Sequence, residues 1–224
     1  MNPSMISRRP KWPLILMVLA LGAFATVAVA ASPLREPVLR AAGWALVADD
    51  SVTSADIIVV SLDSNGAGAL ETADLVHSGV SKRVAVFEDP PSEEDDEFIR
   101  RGLPYEDDAA KQIRELKLLG VTDIVRIAQV DGTEEEVKAL PSWCDEHQFK
   151  TIVFVSHTDH TRRLRRVLDR IMKGHATRVM VKPARYTNFD ADRWWETRGG
   201  IRTEIVELQK LFFDIVLHPM SIIG

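Results

Sequence analysis

The chain of 224 residues lacks the features that define several common classes of protein. It has one cysteine, Cys144, which excludes an internal disulfide and a zinc centre built from cysteines. Its formal net charge is −5, so no general electrostatic argument favours nucleic-acid binding. Ser156 ends a predicted strand but lacks the Gly-x-Ser-x-Gly pattern of a nucleophile elbow. The chain also contains no internal repeat, and the sequence identifies no nucleophile.

Long apolar runs are also scarce, with one exception at the N-terminus. Arg8, Arg9 and Lys11 precede an uncharged run from Trp12 to Ser32. Roughly 18–20 helical residues span a hydrocarbon layer of ~30 Å, so this run is long enough to cross a membrane. The basic cluster should stay in the cytoplasm, which predicts that the remaining chain lies on the other side.

Two interpretations of this segment remain open. A retained signal anchor is favoured by the length of the run. A cleaved signal peptide is the alternative, because Ala28-Val29-Ala30 has the small-x-small form of a cleavage site. We expect a cytoplasmic basic tail at 1–12, a transmembrane anchor at 13–32, a connector at 33–54 and one periplasmic domain at 55–224. The protein would then be a single-pass protein of the inner membrane, in contact with its lipid.

Strand and helix patterns alternate through the domain. The strands are predicted at Asp56–Leu62, Arg83–Phe87, Asp123–Ile127, Thr151–Val155 and Thr177–Val181. Helices are predicted between and after them, among them Thr133 to about His147, Asp159–Met172 and Arg202–Leu217. Such alternation requires a parallel sheet between helices. The predicted fold is therefore α/β, a Rossmann-like three-layer sandwich with a mostly parallel sheet, preceded by one N-terminal transmembrane helix.

In an open parallel sheet, ligands bind outside the carboxyl ends of the strands. The loop after the strand Thr151–Val155 is the richest candidate, because His160 and Arg163 fall in the first turn of the following helix. Free backbone N–H groups, the helix dipole and an arginine together suit a phosphate or carboxylate. We expect Arg163 to be the main anion contact. His160 is a candidate general acid or base, because its unperturbed pKa of about 6.5 suits that work.

The same loop matches a family motif, Val-Thr-Ser-x-Tyr-His-x-x-Arg, at Val155, His160 and Arg163. The approach to the first strand, beginning Gly43-Trp44, and the pair Trp194-Trp195 match the same family. Over nearly its whole length the chain resembles the bacterial proteins grouped with SanA, ElyC and YdcF. A membrane anchor before the domain is usual in the SanA and ElyC branches.

The resemblance implies a role in cell-envelope or peptidoglycan biogenesis and a phosphate-bearing ligand, either nucleotide-like or lipid-linked. The sequence departs from the family in its first loop, where Leu-Gly-Gly-Gly is replaced by Leu62-Asp63-Ser64-Asn65-Gly66. The third-strand motif survives only at Thr133 and Glu135. We expect one pocket with a ligand-binding set that comprises Asp63, Ser64, Asn65, Gly66, Thr133, Ser156 and Arg163, with His160 beside it.

The same residues are also compatible with other roles. His157, Asp159 and His160 could be read as metal ligands, but such residues around a strand end rarely converge on one ion, so no metal and no cofactor is expected. Whether a reaction is catalysed stays open. The alternative function is a non-catalytic envelope scaffold that interacts with other envelope proteins through a domain whose ligand site has degenerated.

Overall fold

The computed structural model describes residues 32–127 and 133–219 and the isolated positions 12 and 17; of residues 133–135 it describes the backbone only. Five strands form one sheet, in the order β3-β2-β1-β4-β5, and every neighbouring pair is parallel. The strands are β1 Ile57–Val60, β2 Arg83–Phe87, β3 Asp123–Ile127, β4 Thr151–His157 and β5 Arg178–Ala184. The parallel α/β, Rossmann-like architecture predicted from the alternating pattern is confirmed.

The helices are α1 Arg35–Ala45, α2 Asn65–His77, α3 Glu93–Arg100, α4 Asp108–Leu118, α5 Thr133–His147, α6 Thr161–Ile171 and α7 Arg198–Leu217. Short 3₁₀ turns precede α2, α6 and α7 at Leu62–Ser64, Thr158–His160 and Trp194–Glu196. Side-chain oxygens of Ser92, Asp107 and Thr197 accept backbone N–H groups at the starts of α3, α4 and α7. These bonds satisfy donors that have no partner within the helix.

Helices cover both faces of the sheet. On one face the core includes side chains of α5 and α6, among them Leu140, Cys144, Leu164 and Leu168. On the other it includes side chains of α2 and α4, among them Ala69, Ala73, Ala109 and Leu116. Strand β1 is buried at all four positions, which explains its uninterrupted apolar sequence.

The strand order places a topological switch point between β1 and β4. These two strands are neighbours, although β2 and β3 follow β1 in the chain. Val60 at the end of β1 pairs with Val155 of β4. The segments that follow these two residues therefore start side by side, at the position where ligands bind in folds of this type.

The main differences from the prediction lie in two regions. The segment 33–54, predicted as a connector, contains α1, which packs on the chain near Trp194: the indole Nε1 donates to Leu39 O at 2.8 Å. Gly43 permits this approach, because a Cβ there would lie 2.3 Å from the backbone oxygen of Ala191. Strand β4 continues to His157, so Ser156 lies within the strand and α6 begins later than predicted, at Thr161.

The predicted membrane segment, 13–32, lies outside the described residues except at Met17 and Ser32. Among the helices of the described ranges, none combines the length and the apolar character needed to cross a membrane. The anchor and its orientation stay predictions.

Candidate functional site

His160 lies between two carboxylates at the switch point. Its Nδ1 atom is 2.8 Å from Asp159 Oδ1, and its Nε2 atom is 2.8 Å from Asp63 Oδ2. The Ser156 hydroxyl lies 3.0 Å from the same Nε2. Burial by itself would lower the pKa of His160, but the hydrogen bonds to Asp159 and Asp63 outweigh burial and raise it to about 9. In this arrangement the imidazole is a cation at neutral pH.

Ser156, His160 and Asp159 stand in the order hydroxyl, imidazole, carboxylate, which activates the serine of many hydrolases. Two features oppose that role here. The contact with Asp63 keeps His160 protonated at Nε2, so the ring cannot take a proton from the hydroxyl. Ser156 is also fully buried. The arrangement therefore does not make Ser156 a nucleophile.

Asp159 joins two imidazoles through one oxygen atom. Its Oδ1 is 2.8 Å from Nδ1 of His157 and 2.8 Å from Nδ1 of His160. Burial would raise the pKa of Asp159, but the hydrogen bonds from the two histidines hold it well below its usual range. The expectation that these residues do not converge needs correction: their donor atoms lie within 4.8 Å of one another. They converge because β4 continues to His157 and a tight 3₁₀ turn follows it.

Glu136 is a further residue of the site, and the sequence pattern does not predict it. It is fully buried; its Oε2 accepts the Ser61 hydroxyl at 2.6 Å and its Oε1 accepts the Leu62 N–H at 2.7 Å. Burial raises the pKa of Glu136 to about 7. In the sequence it resembles an ordinary acidic residue of a helix N-terminus. Its spacing of four from the buried Leu140 is the signal that could have identified it.

The loop Asp63–Gly66 is divided between two places. Asp63 contacts His160, whereas Ser64 is buried and its hydroxyl donates to the Ser61 carbonyl at 2.6 Å. Asn65 and Gly66 line a small hollow against α4, whose volume is about 10 Å³. Ser64, Asn65 and Gly66 therefore do not join Asp63 at the His160 cluster.

Arg163 points away from Asp63 towards α7. Its Nη2 atom donates to Glu207 Oε2 at 3.3 Å, and Lys210 Nζ donates to the other oxygen of the same carboxylate at 2.6 Å. The Nε–H of Arg163 is buried and has no hydrogen-bond partner in the described part of the chain. The Glu207 carboxylate therefore binds both Arg163 and Lys210.

Arg163 lines a pocket of about 380 Å³ between α5, α6 and α7. Its walls combine apolar side chains, basic side chains and one carboxylate. The lining residues are Val137, His160, Arg163, Leu164, Val167, Arg170, Lys210, Phe213, Asp214, Leu217 and His218. Asp214 is the one carboxylate among these lining residues. We call this the α6–α7 pocket.

The structure thus separates the predicted site into two neighbouring parts. Asp63, Ser156 and His160 meet at the switch point together with Asp159 and Glu136, where carboxylates predominate. Arg163 lies in the α6–α7 pocket, which His160 also lines. Thr133 begins α5 at the same edge of the sheet, but its side chain is outside the described part. His160 borders both parts, and the other cations suited to an anion, Arg163, Arg170 and Lys210, lie at the pocket.

No family model and no curated protein matches the chain. A crystal structure of a universal stress protein in complex with cAMP is similar, with 17% sequence identity and a TM-score of 0.35. The similarity covers 59% of this chain and 99% of that chain.

Proposed function

We propose that the protein is a membrane-tethered component of the bacterial cell envelope that binds a lipid-linked phosphate in the α6–α7 pocket. The observation that carries this proposal is the position of Arg163 and Lys210, which share Glu207 beside the pocket. An entering phosphate can accept hydrogen bonds from both cations, and the Arg163 Nε–H, which has no partner among the described residues, supplies one more donor.

The walls of the pocket favour a ligand with an apolar body. The aliphatic and aromatic surface beside the cations comes from Val137, Leu164, Val167, Phe213 and Leu217. Phe213 and Leu217 are 60% and 70% exposed, so an acyl or prenyl chain would cover surface that is now in water. A volume of about 380 Å³ lies within the range of roughly 300–1,000 Å³ for small-molecule sites. Between the two phosphate ligands predicted from the sequence, these walls favour the lipid-linked one.

The envelope location rests on the sequence. The apolar run Trp12–Ser32 would tether the domain to the inner membrane, where lipid-linked phosphates reside. The resemblance to the SanA, ElyC and YdcF proteins supports the same location. Because α1 begins at Arg35, three residues after Ser32, a retained anchor would hold the domain close to the bilayer surface.

A thermal-denaturation assay of the full chain in detergent tests the ligand. Polyprenyl phosphate at 100 times its dissociation constant should stabilise the native state by about 2.7 kcal/mol. The matching polyprenol, which lacks the phosphate, and a nucleoside monophosphate should have much smaller effects. If the nucleotide stabilises the protein and the polyprenyl phosphate does not, the lipid-linked assignment is wrong.

Variants of the pocket locate the binding. Arg163→Ala and Lys210→Ala should each reduce the stabilisation by polyprenyl phosphate. Arg162→Ala is the matched control, because Arg162 is on the same turn of α6 but exposed to solvent. Equal responses from all three variants would show that the lipid binds elsewhere.

A scaffold without a ligand is the second candidate function, and one observation favours it. Helix α7 exposes a row of apolar side chains at helical spacing: Ile201, Ile205, Phe212 and Val216. Exposed apolar surface of this kind marks sites of protein or membrane contact. If Ile205→Asp and Phe212→Asp abolish envelope function while polyprenyl phosphate still stabilises the protein, the contact surface carries the function.

A further inference from the structure

Two nitrogen atoms and one oxygen atom converge beside the sheet edge, and they form a donor set of the kind that binds zinc. One donor atom each from His157, Asp159 and His160 lies within 4.8 Å of the other two, and Nδ1 of both histidines is 2.8 Å from Asp159 Oδ1. Imidazole and carboxylate together select zinc and related divalent transition metals over calcium or magnesium. We propose that His157, Asp159 and His160 bind one such ion, with zinc the best fit.

The distances require only a small adjustment. Zinc binds nitrogen and oxygen at about 2.0–2.2 Å, so neighbouring donors of a tetrahedral site are roughly 3.4 Å apart. Both Nδ1 atoms now stand 2.8 Å from Asp159 Oδ1. If each imidazole ring rotates so that its Nδ1 atom moves about half an ångström away from Asp159 Oδ1, the ion has the space that it needs. The His157 side chain is 28% exposed, which leaves room for this movement.

Asp63 stands where a metal-bound histidine needs a supporting carboxylate. When the metal replaces the Nδ1 proton of His160, that proton is released to solvent, and the Nε2–H donates to Asp63 Oδ2, 2.8 Å away. Histidine ligands usually donate their second N–H to a carboxylate or carbonyl, which fixes the ring orientation. The contact between Asp63 and His160 thus supplies the second half of a carboxylate–histidine–metal arrangement.

The ion would make the crevice less negative. Asp63, Glu136 and Asp159 supply carboxyl groups there, and they disfavour a bound anion. Two histidines and one carboxylate leave at least one coordination position for water or a ligand oxygen, as in catalytic zinc sites. A zinc ion at this position would therefore make the crevice able to take an anionic or carbonyl group. This inference does not rest on lipid binding, which concerns Arg163 and Lys210.

Titration of the EDTA-treated full chain with zinc chloride, followed by calorimetry, tests the site. We expect one zinc ion per chain, and no binding in the variants His157→Asn and Asp159→Asn. His175→Asn is the matched control, because His175 Nδ1 also lies 2.7 Å from a carboxylate oxygen, that of Asp145, but the described structure places no third donor beside the pair. Absence of binding in the wild type, or binding that survives His157→Asn, would overturn the proposal.

Cobalt(II) provides a test that does not depend on loss of binding. In the variant His157→Cys a thiolate replaces one imidazole, so Co²⁺ should give a sulfur-to-metal charge-transfer band that the wild type lacks. Asp63→Asn should weaken zinc binding by about 10–100-fold, as removal of an outer-shell partner typically does. No new band in His157→Cys, with the fold intact by circular dichroism, would exclude His157 as a ligand.

Discussion

Ser61 and Glu136 are 75 residues apart in the chain, and the Ser61 hydroxyl donates a hydrogen bond of 2.6 Å to the Glu136 carboxyl group. The other carboxyl oxygen accepts the Leu62 N–H at 2.7 Å. Together these bonds join the end of β1 to the first turn of α5 beneath the His160 cluster. Glu136 is therefore expected to hold the crevice together rather than to contact a ligand.

Glu136→Ala should lower the free energy of unfolding by about 2–5 kcal/mol, because two buried donors lose their acceptor. Glu136→Gln should cost far less. The glutamine carbonyl can still accept the Leu62 N–H, and the Ser61 hydroxyl can rotate to accept the glutamine N–H. Urea denaturation of the three proteins checks the order. Equal losses in the two variants would indicate that the negative charge, and not the hydrogen bonding, is what the site requires.

Gly68→Ala should destabilise the protein by about 1–3 kcal/mol, although alanine is the better helix former. A Cβ at this position of α2 would lie 1.9 Å from Ser64 Oγ and 3.1 Å from Val60 Cγ1. Gly199→Ala is the matched control, since a Cβ there meets nothing within 4 Å. Thermal denaturation compares the two. If Gly68→Ala leaves the thermal stability unchanged, the turn Leu62–Ser64 can shift without loss of stability.

Much of the fold follows from local sequence. The bounds of β2, β3 and α5 agree with the prediction, because apolar runs and capping residues mark them. Helix α1 was missed, since most of its side chains stay exposed and it has no strong apolar face. Its position depends on Trp194 and Ala191, which are about 150 residues away and leave no signal near α1.

The site could be predicted only in part. The strand-end rule brought Asp63, Ser156 and His160 together, because the sheet edge fixes where those segments begin. It could not give the direction of Arg163, which depends on where α7 places Glu207. Nor could it distinguish Glu136 from its acidic neighbours, because burial on α5 is decided by packing against the sheet.

The orientation of the chain gives a prediction that concerns the N-terminal segment alone. A reporter that is active only in the periplasm should be active when fused after Gly224, because Arg8, Arg9 and Lys11 precede the apolar run. Replacing these three residues with glutamate should reduce that activity. A cytoplasmic reporter that is active at the same position in the native sequence would contradict the predicted compartment.

Asp214→Asn should destabilise the native state by about 3–5 kcal/mol near neutral pH, the usual cost of breaking a buried ion pair. Its carboxylate is largely buried and accepts Arg166 at 2.6 Å and Arg170 at 2.5 Å. Although burial opposes it, bonding to the two arginines holds the pKa of Asp214 below its usual range. The stabilisation is therefore present above the unfolded pKa of about 3.9 and is lost as the pH falls.

Asp169→Asn provides the control for Asp214, because the pair of Asp169 and Arg165 lies on the surface of α6 and is worth about 1 kcal/mol or less. Urea denaturation at pH 7 and pH 3 measures both variants. If Asp214→Asn lowers the free energy of unfolding no more than Asp169→Asn does, the ion pairs of Arg166 and Arg170 with this carboxylate do not stabilise the fold.

Glu204 should show the opposite dependence on pH, although it lies on the same helix as Asp214. It is fully buried, both carboxyl oxygens lack a hydrogen-bond partner in the described part of the chain, and burial raises its pKa to about 7. Because the folded pKa exceeds the unfolded value, this group favours the folded state below about pH 4.5, and that contribution is lost as the pH rises to 7. Glu204→Gln removes the titration, so the variant should gain on the order of 2–3 kcal/mol relative to the wild type between pH 5 and pH 8.

Glu146→Gln, on the exposed side of α5, is the control and should parallel the wild type. If the curve for Glu204→Gln also parallels the wild type, Glu204 is ionised in the folded protein and must have a cationic neighbour or a solvent path.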